Sequence, residues 1–191
     1  MTVPPWTEVQ LAVGGALRLA CGDRSGLGFF DTTVAGFRRS FRAAAICYPL
    51  YLLLLATHIA PAKWDQYGVP SILAVETIKY VIAWVAFPLV VLPVADLLDR
   101  GGRAFAFLTV YNWSQIPQFL LFTIIGLDGA SGLLPLSAAQ SIELVAFLGV
   151  LLYEWFVARV ALGATAAQAA LIVIIDQVLG TALDQTARVL Y

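Results

Sequence analysis

The sequence predicts an all-α membrane protein, a bundle of five transmembrane helices preceded by amphipathic interfacial helices. Three observations carry that prediction. After residue 42, five long apolar segments separated by short polar breaks take up nearly the whole chain. Hydrophobic residues make up 61% of the 191 positions and charged residues only 12%, against about 45–50% apolar and about 25% charged in ordinary soluble domains. The arginines, finally, gather in one set of alternating breaks. A single soluble core of this size could not hide so much apolar surface, so the solvent of most of the chain is lipid.

Residues 1–42 form a cytoplasmic or interfacial region. The opening Met1-Thr2-Val3-Pro4-Pro5 has no base, and no compact apolar run with a cleavage site follows, so no signal peptide is expected. Trp6, Val9, Val13, Leu17 and Ala20 recur at helical spacing, which predicts an interfacial helix with Trp6 at headgroup depth. Gly14 and Gly15 weaken that helix by about 1 kcal/mol each. Residues 21–28, with three glycines, read as a loop. Asp31 or Thr32 can cap a second helix over 33–42, with Val34, Phe37 and Phe41 as its apolar stripe. Arg38, Arg39 and Arg42 stand where anionic headgroups would be. These residues anchor the topology or, together with Trp6, Phe37 and Phe41, form a docking platform.

The transmembrane domain, 43–191, holds spans at about 43–60, 72–94, 105–127, 133–158 and 160–183. Each is close to or above the ~18–20 residues that cover ~30 Å of hydrocarbon at ~1.5 Å per residue. Arg18, Arg24, Arg38, Arg39, Arg42, Arg100, Arg103 and Arg159 fall on one side, against Lys63 and Arg188 on the other. The positive-inside rule then puts the amino terminus in the cytoplasm and, after five crossings, the carboxyl terminus on the far side. The break at 127–132, with Asp128 and no base, fits the far side.

Polar side chains at bilayer depth are expensive and are the best functional clues. In span three, Asn112, Gln115 and Gln118 step by three residues and share one side of the helix, while Pro117 leaves the carbonyl of Trp113 unpartnered. They serve either interhelical hydrogen bonds, worth about 0.5–2 kcal/mol each, or a solute path. Glu76 and Lys79 in span two, Glu143 in span four and Asp176 in span five are expected to converge on one level in the outer part of the membrane. Lys79 is the counter-charge for Glu76, and for Asp176 or Glu143 across helices. The cluster is an ion-pair network, a set of snorkelling side chains, or a proton or cation path. Asp96, Asp99, Arg100, Arg103, Glu154 and Arg159 read as a solvated cytoplasmic rim.

Nothing in the sequence supports catalysis. There is no glycine-rich phosphate loop, Ser114 and Ser141 are isolated, and His58 has no second histidine with which to share a metal. No catalytic residue, metal or cofactor is predicted. Cys21 and Cys47 imply no disulfide framework and read as small apolar fillers. A net charge of −1 gives no field that would attract nucleic acid. Gly163, Ala166, Ala167, Ala169 and Ala170 in span five allow close helix contact, within the bundle or between copies.

Several motifs together resemble the Yip1-domain family, in its small bacterial members of the alphaproteobacterial kind. They are Gly28-Phe29-Phe30-Asp31-Thr32-Thr33 and Gly36-Phe37-Arg38-Arg39-Ser40-Phe41 before span one, then Tyr111-Asn112-Trp113 with Ile116-Pro117 in span three. Tyr153-Glu154-Trp155-Phe156 and Ala161-Leu162-Gly163 complete the set. The resemblance covers most of the chain and implies a five-helix bundle with a cytoplasmic amino terminus in the bacterial inner membrane. Eukaryotic relatives are associated with trafficking and contact small GTPases; their Asp-Leu-Tyr-Gly-Pro signature is absent here, so that partner is not implied.

The leading expectation is a non-enzymatic, Yip1-like organising or binding protein whose partners are the lipid bilayer and another membrane protein or a second copy through span five. The alternatives are a small transporter or channel subunit using the intramembrane polar cluster, and an accessory subunit of a larger complex. Five helices give no even division into inverted repeats, which weighs against the transporter.

Overall fold

A computed structural model describes residues 5–132 and 134–191. Residues 1–4 lie outside the described residues, as does Leu133, the expected start of the fourth span. The described part is helical, with no strand among the described residues.

The first helix, α1, spans Pro5–Ala20. Its buried residues are Ala12, Ala16 and Leu19, with Val9 and Val13 at their edge, while Trp6, Leu17 and Ala20 are exposed. The buried face is therefore rotated from the predicted stripe. Hydropathy ranks Trp and Leu above Ala, but α1 lies on other helices, where small residues permit the closest approach. Residues 21–28 are not a plain loop either: Gly22 ends α1 at φ 78°, and Asp23 then caps a 3-10 turn over Arg24–Phe29 by accepting from the Ser25 amide. Gly15 has a packing role, because a Cβ there would sit 2.8 Å from the Gly26 carbonyl oxygen.

Helix α2 covers Val34–Ser40 and α3 covers Arg42–His58, separated only at Phe41. The cap of α2 is Thr33, which accepts from the Gly36 amide at 3.1 Å, rather than Asp31 or Thr32. Asp31 instead holds the Thr33 amide at 3.0 Å and its hydroxyl at 2.7 Å. A short helix, α4, Pro61–Tyr67, fills the next break, and α5 runs Val69–Leu97. After the turn Gly101–Arg103, α6 runs Ala104–Ser131, so Asp128 is helical and the break falls at Gly132, φ 72°.

Helix α7 spans Leu136–Val157 and passes into a π turn, Ala158–Leu162, closed by Gly163 at φ 68°. Helix α8 begins only at Ala166 and runs to Arg188, behind a capping box of Thr165 and Gln168. The predicted start of the fifth span, 160, thus lies in the π turn. Gly163 is a cap, and in the alanine stripe Ala169 is buried while Ala166 and Ala167 are exposed.

Four helical segments are long and apolar enough to cross a membrane: Val34–His58, Val69–Leu97, Leu136–Leu162 and Ala166–Arg188. Their outer faces carry exposed Ile78, Val81 and Leu89 on α5 and Ile174 and Val178 on α8, side chains that belong in lipid. The chain is a multi-pass membrane protein. Helix α6 is just as long, but Asn112, Ser114, Gln115 and Gln118 interrupt its apolar run. It sits at the centre, packed on α1, α2, α3 and α7, and buries Phe107, Leu108, Val110 and Trp113.

Successive long helices run antiparallel, so the molecule has two ends. One carries α1, the Arg24–Phe29 turn, α2, the Gly101–Arg103 turn and the π turn, and with them the eight arginines of the biased set. The other carries α4, the Gly132 break and the end of α8.

Candidate functional site

Three groups of polar side chains occupy the bundle. The first ties α1 to α2 and α3. Glu8 accepts from Arg39 Nε at 2.8 Å and from Arg42 Nη1 at 2.9 Å, and Arg39 also bonds Asp31. The Thr33 hydroxyl and amide, with Arg39 beside them, hold the Asp31 carboxyl below its ordinary range. Of the predicted docking residues, Arg39 and Arg42 are therefore committed to ion pairs. Phe37 and Phe41 meet edge to face at 5.3 Å, and Phe37 also packs on Phe105. Trp6, 69% exposed, and Arg38 face outward.

The second group joins this layer to α6 and α7. Asn112 donates to the Ser40 hydroxyl at 2.8 Å, and Ser40, fully buried, donates to the Phe37 carbonyl at 2.7 Å. Tyr153 donates to the Ala16 carbonyl at 2.9 Å, and its oxygen lies 2.7 Å from the hydroxyl of Ser114. Ser114 is thus not isolated. Sequence reasoning named Ser40 and Tyr153 within motifs but missed their role as hydrogen-bonding partners of α6.

The third group surrounds a cavity of about 210 Å³ between α3, α5, α6 and α8. At its rim Lys79 bonds both Glu76 and Asp184 at 2.7 Å, and the hydroxyls of Tyr51 and Tyr191 donate to Glu76. Glu76 is only 1% exposed, so these donors replace the water it has lost. The walls are aromatic: Tyr51, Tyr80, Trp84, Phe87, Tyr111 and Phe119. Phe87 and Tyr111 stack with centroids 4.2 Å apart. Asp176 lines the cavity on α8, accepting from the Tyr111 hydroxyl at 2.9 Å, with no cation paired to it. Gln115 also lines the cavity, and its buried Nε2 has no hydrogen-bond partner; Nε2 of Gln118 is likewise unpaired.

Behind Asp176 a gap of about 10 Å³ is shared with Phe87, Tyr111 and Glu154. Glu154 is 7% exposed, with Oε2 unpaired, so it is no part of a solvated rim.

The predicted convergence of Glu76, Lys79, Glu143 and Asp176 on one level does not occur. Lys79 pairs with Asp184 rather than with Asp176 or Glu143. Because α8 begins at Ala166, Asp184 near its end comes level with Lys79, and Asp176 falls deeper. Glu143 instead faces His58 at 3.6 Å beside a separate hollow of about 540 Å³ lined by Thr57, Gly126 and Gln140; both side chains are half exposed. Asn112, Gln115 and Gln118 do face into the bundle. No cluster of three or more metal-ligating side chains exists among the described residues.

No family model, curated protein or solved structure matches the chain.

Proposed function

We propose that the chain is a non-enzymatic integral membrane protein of Yip1-like type that works by binding, with a small solute held in the cavity between α3, α5, α6 and α8. The observation that carries this reading is the Asp176 carboxyl, bonded by the neutral Tyr111 hydroxyl alone, in the same cavity lining as Gln115 with its unpaired Nε2. Polar groups at bilayer depth are costly unless matched, and a ligand supplies the match. Such a site serves a carrier, a sensing subunit or an accessory subunit equally well.

In this proposal five helices cross the bacterial inner membrane, with the amino terminus in the cytoplasm. Helix α6, about 42 Å long at ~1.5 Å per residue, is the central fifth crossing and turns its polar residues toward its neighbours. The eight arginines at one end support the orientation.

Gly180 supplies the test. It lines the cavity, and a Cβ there meets nothing within 4 Å. Gly180→Phe sets a bulky ring at the cavity wall from a position where the Cβ is free of contacts. A panel of small amines, amides and carboxylates is screened by thermal shift in lipid nanodiscs. At least one class should raise the melting temperature of the native protein and leave Gly180→Phe unmoved; no response from any class sinks the proposal.

A second reading, an organising protein that docks at its arginine-rich end, is favoured by the exposed Trp6, Leu11 and Leu17 on α1 beside Arg38. A membrane partner captured in native detergent and lost in Trp6→Ser/Leu17→Ser supports docking; retention of that partner by the variant argues against this surface.

A further inference from the structure

We propose that the cavity ligand is a small organic cation of the quaternary-ammonium or alkylammonium class, held by the Asp176 carboxylate and the aromatic wall at Trp84 and Tyr80. The proposal rests on the cavity-binding reading above and goes further by fixing the sign of the ligand's charge.

Charge balance comes first. Lys79 is the one base lining the cavity among the described residues, and Glu76 and Asp184 already flank it at 2.7 Å each. Asp176 has only the Tyr111 hydroxyl, a neutral donor. The site therefore holds one cation against three carboxylates, with Glu154 a fourth acid behind the wall. An anionic ligand would have to displace a carboxylate from Lys79 and then lie near Asp176. A cation meets neither obstacle and completes Asp176.

The walls point the same way. Aromatic faces attract cations through the negative face of the ring, and clusters of such rings are the usual recognition surface for quaternary ammonium groups. The protein's own cation already uses one of these rings, since Lys79 Nζ lies 5.5 Å from the Tyr51 centroid. Phe87 and Tyr111 stack on each other, which leaves the wall at Tyr80 and Trp84 for a ligand. A neutral apolar solute would use the same rings but would leave Asp176 unmatched.

Size and access agree. The cavity of about 210 Å³ has room for a small organic cation of roughly choline size. From Asp184 to Asp176 helix α8 rises about 12 Å, so the ligand passes the half-exposed Asp184 before reaching Asp176. The larger hollow at His58 and Glu143 offers no such site, because its acid already faces a histidine and both side chains are half exposed.

Three probes of one shape separate the possibilities by calorimetry in nanodiscs: choline, its neutral isostere 3,3-dimethylbutan-1-ol, and the anion 3,3-dimethylbutanoate. Choline should bind saturably, with both other probes weaker by about tenfold or more. Asp176→Asn should abolish the preference for choline over the alcohol, and Gly180→Phe should abolish binding of all three. Equal binding of choline and the alcohol to the native protein overturns the cation assignment while leaving the cavity reading intact. Tighter binding of the anion hands the site to Lys79 and also overturns it. If none of the probes binds, the cation assignment fails; whether the cavity reading fails with it is read from the separate solute panel. The three-probe comparison on the native chain decides the matter even if Asp176→Asn does not fold.

Discussion

Two sides of the middle of α6 use the same kinds of polar side chain to opposite purposes. At the arginine-rich end, Asn112 meets Ser40, Tyr153 meets Ala16 and Ser114, and Glu8 holds two arginines. Gln115 in the cavity lining and Gln118 and Glu154 outside it keep unpaired atoms, as does Arg100 Nε at the arginine-rich end, and Asp176 has one neutral partner. Buried polar groups fully matched by protein make a rigid joint, whereas those left open form a place for something else. The difference teaches that burial alone does not mark function in this bundle; completeness of pairing does.

The sharpest way to break this contrast is at the joint. Gly15→Val places a side chain against the Gly26 carbonyl and the Phe29 Cβ, 2.8 and 2.9 Å from the new Cβ, and should cost about 3 kcal/mol through overpacking. Denaturant titration in detergent reads it, and a change below about 1 kcal/mol would mean that α1 is not firmly seated. Next comes Tyr153→Phe, which removes the buried hydroxyl that ties the Ala16 carbonyl of α1 to Ser114 of α6. A loss of about 2 kcal/mol is expected by the same titration.

The cavity should answer differently. Asp176→Asn keeps an acceptor for Tyr111 and removes a poorly matched charge, so stability should move by no more than about 0.5 kcal/mol. A loss as large as that of Tyr153→Phe would place Asp176 with the structural groups and erase the contrast.

The smallest effect concerns Asp31. Its carboxyl is held below the ordinary value of 3.8 by the Thr33 hydroxyl and amide, so its contribution is present above that value and lost as pH falls through the lowered one. The side chain is 38% exposed, which keeps the contribution modest. The melting difference between native protein and Asp31→Asn should be visible at neutral pH and shrink as pH is taken below 3.8; a difference unchanged with pH would assign the effect to something other than this ionisation.

Much of the fold follows from local pattern. Long apolar runs can only be helices in lipid, because the backbone must satisfy its own hydrogen bonds there. Hence the helical class and the approximate segments were legible, as was the inward face of Asn112, Gln115 and Gln118. The Glu76–Lys79 pair was legible too, since residues three apart on a helix are neighbours. Errors gathered where geometry depends on distant parts. The start of α8 hangs on a π turn and a capping box rather than on hydropathy, and that shift moved Asp184, not Asp176, beside Lys79. The buried face of α1 went to alanines because backbone approach, not side-chain hydropathy, sets what packs there.

By itself, then, the sequence determined the solvent, the helical class, the arginine asymmetry and the local i, i+3 pairing, all of which depend on composition and short-range spacing. The tertiary structure decided which acid meets Lys79, that Ser40 and Tyr153 complete the α6 joint, that Glu154 is buried, and that six aromatic side chains from three helices enclose one cavity with Asp176. Those contacts join residues tens of positions apart, and only the register in which the helices pack sets them.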